Sequence, residues 1–591
     1  MPHGTSELDS LLPRRALDPN HTQEVSQNAS VGPLEISGST RYGILLGIWS
    51  ATFLSDLNST LVPTMLPSIT SEFKKFNQAS WLGTSYLLAI CTFTPLYGRL
   101  CDVLGRKGAS QFALFFTCLG VLGCGLSQSM EMLIVSRFLT GIGAGGLFTI
   151  SSIIVSDMYP MRDRGLIQGI GSVLSGLGTG LGGPFGGVMT DWLGWRSAFL
   201  IQFPMFLASF ATTAYFHHYV TPGQGKSAKE ILKRIDYFGS ILLLITVGSI
   251  LIFLSVRYNE GFPWTDPSVV ASISIAAIGC IAFLLVELFL AREPVLAPFL
   301  LKQKIPVLVG ASNFLVAIYN FAIIYFLPMW FQTVMATTAS TAGLHLIPNS
   351  VGLTLGSIFA GYTMHRTGRY KAINFIFGWF PFIGASLIAS LGKDSSPYVT
   401  WLSIFPVGFG NAVILQTMLI ALLVHLPESQ VAVGTGFGQL FKGIGQIGGV
   451  AISSAIFQSK LDTELRRRIH GPDAEELINT IRRSSQLLGS LPPDLQRTAR
   501  HCYDISLKTV FTFGAAAALL AFIVRLPIPD KHLDAKGKDD AASAAILDAG
   551  ICLITQNQNQ SGAASDHTRR AGCVHIASEL DRVQAVTAQI Q

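Results

Sequence analysis

Charged side chains are scarce in this chain. Only 13% of its 591 residues are Asp, Glu, Lys or Arg, whereas soluble domains carry roughly 25%. Since 49% of the residues are hydrophobic, the composition excludes a soluble globular domain and predicts a protein that lies mostly in lipid. The formal net charge of +6 is spread over loops without an aromatic platform, so we expect no nucleic-acid partner.

Catalytic and metal-binding patterns are also missing. The eight cysteines show no Cys-x-x-Cys spacing, and most lie in apolar segments, which argues against a disulfide framework and a metal site. Gly223–Ser227 ends like a phosphate-binding loop, but Val220 stands where the first glycine belongs. We therefore expect no enzyme, no metal and no cofactor.

Long apolar runs fill most of the chain. Residues 1–40 are polar and lack the apolar core of a signal peptide, so this tail is expected to be disordered and cytosolic. Runs of the length that crosses a bilayer follow. We count fourteen, near residues 42–65, 80–98, 108–127, 130–155, 165–190, 196–216, 237–256, 268–291, 306–332, 341–364, 372–392, 397–425, 432–457 and 506–528.

These runs predict an all-α membrane protein with two six-helix bundles and two additional transmembrane helices. The bundles cover residues 41–216 and 306–528, residues 217–305 hold a basic loop and the additional pair, and residues 529–591 form a cytosolic tail. Most Lys and Arg residues of the short loops lie on the predicted cytosolic side, as expected. The exception is the non-cytosolic loop 459–505, whose apolar residues recur at helical spacing and predict short amphipathic helices on the rim.

A charged turn joins the second and third spans. Gly98 and Gly105 let two helices reverse direction sharply, while Asp102, Arg106 and Lys107 place charges at the water boundary. We interpret this turn as a conformational switch. It resembles the signature loop of the major facilitator superfamily, Gly-x-Leu-x-Asp-x-x-Gly-Arg-Lys, and the resemblance implies two bundles that rock about a central site.

Two ionisable side chains lie inside apolar helices. Asp56 in the first span is costly unless it is paired or neutral, and Arg137 in the fourth span must find an anion, water or carbonyls. The stretch around Asp56 resembles the first-helix motif of the fourteen-span drug:H+ antiporter family, from which it departs at Asn58. The string from Arg137 resembles the facilitator Arg-x-x-x-Gly motif. Our hypothesis is that Asp56 and Arg137 pair and couple transport to protons; a structural role for Asp56 is the alternative.

The fifth span is rich in small residues. Four glycines permit close helix approach, and Pro184 removes one backbone hydrogen bond and bends the helix. The glycines are Gly182, Gly183, Gly186 and Gly187. The segment resembles the antiporter motif Gly-x-x-x-Gly-Pro-x-x-Gly-Gly, although one residue instead of two follows the proline. This implies exchange with protons rather than sugar-type uptake.

Polar side chains in the second bundle are candidates for lining the central cavity. They are Asn313, Asn320, Asn411, Gln416 and Lys442. The amides are equally interpretable as hydrogen-bonding groups between helices, and Lys442 as structural, because an unpaired cation would repel a cationic cargo. Residues 191–204 and 434–446 resemble a fungal branch that includes vacuolar basic amino acid transporters.

The N-terminal tail contains Glu7, Leu11 and Leu12 in the form of an acidic dileucine sorting signal, which favours the vacuolar membrane over the plasma membrane. The resemblances imply a proton-coupled antiporter that moves small organic solutes out of the cytosol, first of all basic amino acids into the vacuole. Drug or toxin efflux across the plasma membrane is the alternative, and a non-transporting nutrient sensor is another. Expected partners are a small-molecule substrate, protons, the lipid bilayer and a sorting adaptor.

Overall fold

The computed structural model describes residues 37–159, 161–216, 237–290, 298–470, 474–483, 488–489 and 491–531. All regular structure in these ranges is helical, which confirms the predicted all-α class. The first bundle holds α1 (Gly38–Phe73), α2 (Ala79–Gly125), α3 (Met130–Met158), α4 (Met161–Leu193), α5 (Trp195–Leu200) and α6 (Gln202–Phe216). The additional pair is α7 (Tyr237–Leu254) and α8 (Pro267–Leu285), each extended by a π-helical turn, Ser255–Asn259 and Val286–Leu290.

The second bundle contains more interrupted helices. After the short α9 (Pro298–Leu301), it comprises α10 (Lys304–Thr333), α11 (Ala339–Leu344), α12 (Ile347–Thr367), α13 (Lys371–Phe377), α14 (Phe380–Ala389), α15 (Pro397–Leu402), α16 (Phe405–His425), α17 (Glu428–Arg468), α18 (Ala474–Arg483) and α19 (Pro493–Arg525). Prolines mark several of the starts, where a missing backbone N–H costs nothing.

Ten helical segments of the described residues are long and apolar enough to cross a membrane. They are Val103–Gly125, Met130–Met158, Trp195–Phe216, Phe238–Asn259, Pro267–Leu290, Lys304–Thr333, Lys371–Ala389, Pro397–His425, Val433–Arg468 and Pro493–Arg525. Helices α1, α4, α12 and the first part of α2 lie where the other four spans are predicted. The count of fourteen spans and the domain boundaries stay predictions.

Local sequence sets the ends of these helices. Ser129 caps α3 by accepting a hydrogen bond of 3.2 Å from the Met132 backbone N–H. Gly105 interrupts α2 with φ of +72°, a conformation that favours glycine. This break separates the second predicted span from the third and places the switch turn between them.

Two hydrophobic cores correspond to the two bundles. One is built from α1 to α6 alone, and the other from most of the helices α7 to α19 together with Tyr86 and Cys91 of α2 and Ala144 of α3. Helix α2 therefore contributes to both cores and lies at the boundary between the bundles.

The two bundles interlock at their non-cytosolic end, as oriented by loop charge. Asp191 at the end of α4 accepts hydrogen bonds from the Ser340 hydroxyl and, at 2.8 Å, from the Ser340 backbone N–H. Gln332 of α10 donates to the Thr64 carbonyl of α1 at 3.0 Å. At the opposite end, a Cβ added at Gly98 would meet no heavy atom of the described residues within 4 Å. The described residues are therefore closed at the end that loop charge predicts to be non-cytosolic.

We call the contacts at this closed end the seal. The loop predicted to be non-cytosolic forms a helical cap over it. Ile478 and Ile481 of α18 are buried, as the amphipathic pattern predicted, but the segment before them continues α17 instead of forming a separate helix. Arg466 bonds Glu475 at 2.6 and 2.8 Å and Asp462 at 2.9 Å. These pairs explain how basic residues are tolerated on this side. Hydrogen bonding to the Arg466 guanidinium holds the pKa of Glu475 below its ordinary value, so the pair keeps its charge in a mildly acidic compartment.

The additional helix pair touches both bundles and the cap. Asn259, at the end of the π-helical turn after α7, donates to the Ser80 hydroxyl at 3.2 Å and accepts from the Ser454 hydroxyl at 3.4 Å. Its backbone carbonyl accepts from Arg482 of α18 at 3.1 Å. One residue thus connects α2, α17 and α18 at the closed end.

Candidate functional site

Asp56 lies in the middle of α1, on the side that faces the gap between the bundles. Its carboxylate accepts a hydrogen bond from the Ser175 hydroxyl of α4, and Gly178 permits α4 to approach because a Cβ there would lie 3.2 Å from the Asp56 Cβ. The Asp56 side chain is only partly exposed. A carboxylate in this position needs a counter-charge or a proton.

Lys442 of α17 supplies the opposite charge from the other bundle. The Asp56 carboxylate and the Lys442 ammonium interact electrostatically. Among the described residues they form no ion pair within 4.0 Å, and the ammonium has no hydrogen-bond partner there. Two groups of opposite charge therefore lie on the two sides of the bundle boundary without forming an ion pair.

Arg137 of α3 is fully buried and lies in a separate network. Its guanidinium donates to the Asn58 side-chain oxygen and, at 3.1 Å, to the Leu82 carbonyl, and it lies 4.2 Å from the Tyr86 ring centre. The Asn58 amide in turn donates to Gln202 at 3.0 Å.

The hypothesised pair of Asp56 and Arg137 is thus absent from this conformation. Asp56 and Asn58 are two positions apart on a helix and point in opposite directions, so the residue that faces Arg137 is the neutral Asn58. The roles of Asp56 and Arg137 in proton coupling stay predictions.

The small residues of α4 form two stripes with different partners. A Cβ on Gly182 would lie 2.5 Å from the Leu57 carbonyl oxygen, and one on Gly186 2.7 Å from that of Leu61, both in α1 of the same bundle. Gly183 and Gly187 instead face the second bundle. A Cβ on Gly183 would lie 2.8 Å from the Leu346 side chain.

The stripe that faces the second bundle continues to Gly187, at the outer end of the seal. A Cβ on Gly187 would lie 2.7 Å from the Ala339 carbonyl carbon of α11. Pro184 is buried between the stripes. The close approach predicted from the sequence is confirmed, and it serves both packing inside a bundle and closure between bundles.

The switch turn pairs with the end of α3. Arg106 donates to Asp157 at 2.8 Å and to the Cys101 carbonyl at 3.2 Å. Gly98 and Gly105 lie in open space at this end, and Lys107 is partly exposed. The side chain of Asp102 lies outside the described residues, as do Glu7, Leu11 and Leu12.

The four amides differ in their surroundings. Asn313 donates to the Gly438 carbonyl at 3.4 Å and so connects α10 with α17. The side-chain oxygens of Asn313, Asn320 and Asn411 are buried without a partner among the described residues, while Gln416 is partly exposed. Asn313 therefore acts as a link between helices, and the lining role of the other amides stays a prediction.

Sequence reasoning missed four residues of this region. Ser175 and Gln202 were not identified, and Asn58 was noted only as a departure from the family motif, because hydroxyl and amide groups are common in membrane helices. The aromatic face of Tyr86 was missed for the same reason. A usable signal existed for Asn58, since it is where the first span departs from its family motif.

The comparisons with known proteins agree with the fold and the motifs. A family model described as the Major Facilitator Superfamily matches residues 48–450. The multidrug resistance protein fnx1 of Schizosaccharomyces pombe is 34% identical over 497 residues, covering 83% of this chain and 93% of that protein. Vacuolar basic amino acid transporter 2 of Saccharomyces cerevisiae is 30% identical over 461 residues, covering 76% and 96%.

A solved structure shares the fold. A bacterial homologue of the human lysosomal transporter Spinster, in an inward-facing and occupied conformation, superposes with a TM-score of 0.55 at 16% identity over 83% of this chain and 97% of that one. The family match, the fungal relatives and the helical bundles identify a transporter rather than an enzyme, and this chain belongs to the major facilitator superfamily.

Proposed function

We propose that this protein is a proton-coupled antiporter that moves small organic solutes out of the cytosol, with basic amino acids entering the vacuole as the first substrate class. The position of Asp56 carries the proposal. It is an ionisable group at mid-span, beside the seal between the bundles and opposite a cation of the other bundle. The similarity to a vacuolar basic amino acid transporter supports the substrate and the compartment.

Competition for one carboxylate explains the exchange. The charged and titratable groups that face Asp56 are Lys442 and Tyr86, while Arg137 faces Tyr86. Ionised Asp56 attracts the ammonium or guanidinium group of a cargo. Protonated Asp56 does not, so a proton that arrives from an acidic compartment releases the cargo there. The proton gradient supplies the energy and no cofactor is needed.

Efflux of lipophilic cations is the second candidate function, and the similarity to fnx1 favours it. The same carboxylate would bind such a cargo. The two functions differ in what else the site must recognise, which can be measured with the same preparation.

The test uses the full chain in proteoliposomes with an imposed pH gradient, assayed with arginine, lysine, histidine and tetraphenylphosphonium. We expect gradient-driven accumulation by the wild type. Asp56→Asn keeps the side-chain shape without the charge, so it should abolish accumulation and spare some downhill exchange. Asp394→Asn, at an exposed loop position, is the matched control. Accumulation by Asp56→Asn would assign coupling to another residue, and a wild type that moves none of the four solutes would refute the proposed function.

A further inference from the structure

Asp56 and Lys442 belong to opposite bundles, and their helices α1 and α17 both contact α2. Gly443, next to Lys442, packs against α2, because a Cβ there would lie 2.9 Å from the Cys91 sulfur. Tyr86 lies somewhat more than one helical turn from Cys91 on α2, and it donates a hydrogen bond to the Ser55 carbonyl of α1 at 3.1 Å. Helix α2 thus packs against both α1 and α17.

Each charge lacks a full partner in the part of the chain that the structure describes. Asp56 has the Ser175 hydroxyl but no cation within 4.0 Å, and Lys442 has neither a hydrogen bond nor an ion pair. A charge inside a membrane protein is costly unless it is neutralised. Both side chains are partly exposed and lie farther apart than the 4.0 Å of an ion pair, so the space between them is wider than a direct contact and each group is accessible to a ligand.

We propose that a zwitterionic α-amino acid bridges this space, with its ammonium group on Asp56 and its carboxylate on Lys442. This rests on the proposed function and specifies its substrate class. The bridging ligand contacts both bundles at once, so it binds most tightly when they approach and thereby favours the occluded state. Lys442 then holds the carboxylate of a basic amino acid instead of repelling its side chain.

The inference separates amino acids from amines that lack a carboxylate. Arginine satisfies both charges, whereas agmatine, its decarboxylated analogue, satisfies only Asp56 and leaves Lys442 buried without an anion. A ligand that fails to complete a charged hydrogen bond loses about 10- to 100-fold in affinity. We expect wild-type uptake to favour arginine over agmatine by a ratio in this range.

The test compares Lys442→Gln with Lys442→Arg in proteoliposomes under an imposed pH gradient. In Lys442→Gln, arginine uptake should fall about 10- to 100-fold while agmatine uptake holds or rises, so the ratio approaches one. Lys442→Arg keeps the cation and should retain much of the preference. Lys460→Gln, on the same helix but paired with Glu464 at 3.0 Å at the cap, is the matched control and should change neither.

The outcomes distinguish this inference from the function on which it rests. Equal losses of arginine and agmatine uptake in Lys442→Gln would make Lys442 structural and overturn the inference. So would a wild type that carries agmatine as well as arginine, or one that accumulates tetraphenylphosphonium but no amino acid. In these cases gradient-driven transport itself still stands. The proposed function fails only if the wild type moves none of these solutes.

Discussion

Two adjacent glycines of α4 provide a test of how the seal works. Gly186 faces α1 of its own bundle, and Gly187 faces α11 of the other bundle. An added Cβ would overlap backbone in both cases: at Gly186 it would lie 2.7 Å from the Leu61 oxygen, and at Gly187 it would lie closer still to the Ala339 carbonyl oxygen and 2.7 Å from the carbonyl carbon. The two alanine variants therefore both introduce overlaps with backbone at neighbouring positions, and the overlap at Gly187 is the more severe. They differ in whether the overlap lies within a bundle or between bundles.

The expected free-energy cost of each substitution follows from the short distance between the added Cβ and the neighbouring backbone. Since the obstructing atoms belong to backbone, the neighbouring helix must move, and overpacking of this kind costs about 1–3 kcal/mol. In Gly187→Ala this cost falls only on the conformation closed at the non-cytosolic end. The equilibrium should shift toward the open form by about 5- to 150-fold. In Gly186→Ala the cost falls on both conformations, so stability decreases without a shift between them.

Thiol labelling measures this shift. Ser350 of α12 packs on Gly180, two turns deeper than Gly187 and about 10 Å along the helix. A cysteine at Ser350 should react with a membrane-impermeant reagent from the non-cytosolic side only when the seal opens. We expect Gly187→Ala to accelerate labelling of Ser350→Cys and Gly186→Ala to leave it unchanged; the parent without Ser350→Cys corrects for Cys280, which is exposed. Equal labelling of both variants would refute the assignment of the two stripes.

Two further predictions concern the ends of the molecule. Asn259→Ala removes the side-chain bonds to Ser80 and Ser454, each worth about 0.5–1.5 kcal/mol, and should also accelerate labelling of Ser350→Cys; unchanged labelling would show that the additional helix pair does not support the closed state. Asp102→Asn should leave expression near normal and slow transport, because the switch turn acts in only one of the two conformations. If the Asp102→Asn variant transported at the wild-type rate at matched protein level, Asp102 would have no role in the switch.

The sequence was sufficient for the fold class but not for the partners inside the site. Hydrophobic run length places helices in a bilayer, and the small residues of α4 indicate close packing. Which bundle each glycine faces depends on how α4 is rotated about its axis. Packing against α1 and α11 sets that rotation. The sequence of α4 alone does not contain this information.

The hypothesis of an Asp56 and Arg137 pair failed in this conformation for a similar reason. Charge matching between helices identified two residues that need partners, but it ignored the direction of each side chain. Asn58 offers Arg137 a neutral acceptor on the opposite face of α1 from Asp56. Asn58, where the first span departs from the family motif, thus supplies a hydrogen-bond acceptor to the buried cation.

This arrangement has a consequence for coupling. Because Arg137 is bound by Asn58, Leu82 and the ring of Tyr86 within one bundle, neutralising Asp56 does not leave Arg137 without partners. The cation that responds to protonation of Asp56 is Lys442, and it belongs to the other bundle. Under the proposed function, a proton on Asp56 would change the attraction between Asp56 and Lys442 and so between the bundles, which is the quantity that a rocking carrier must change in order to switch.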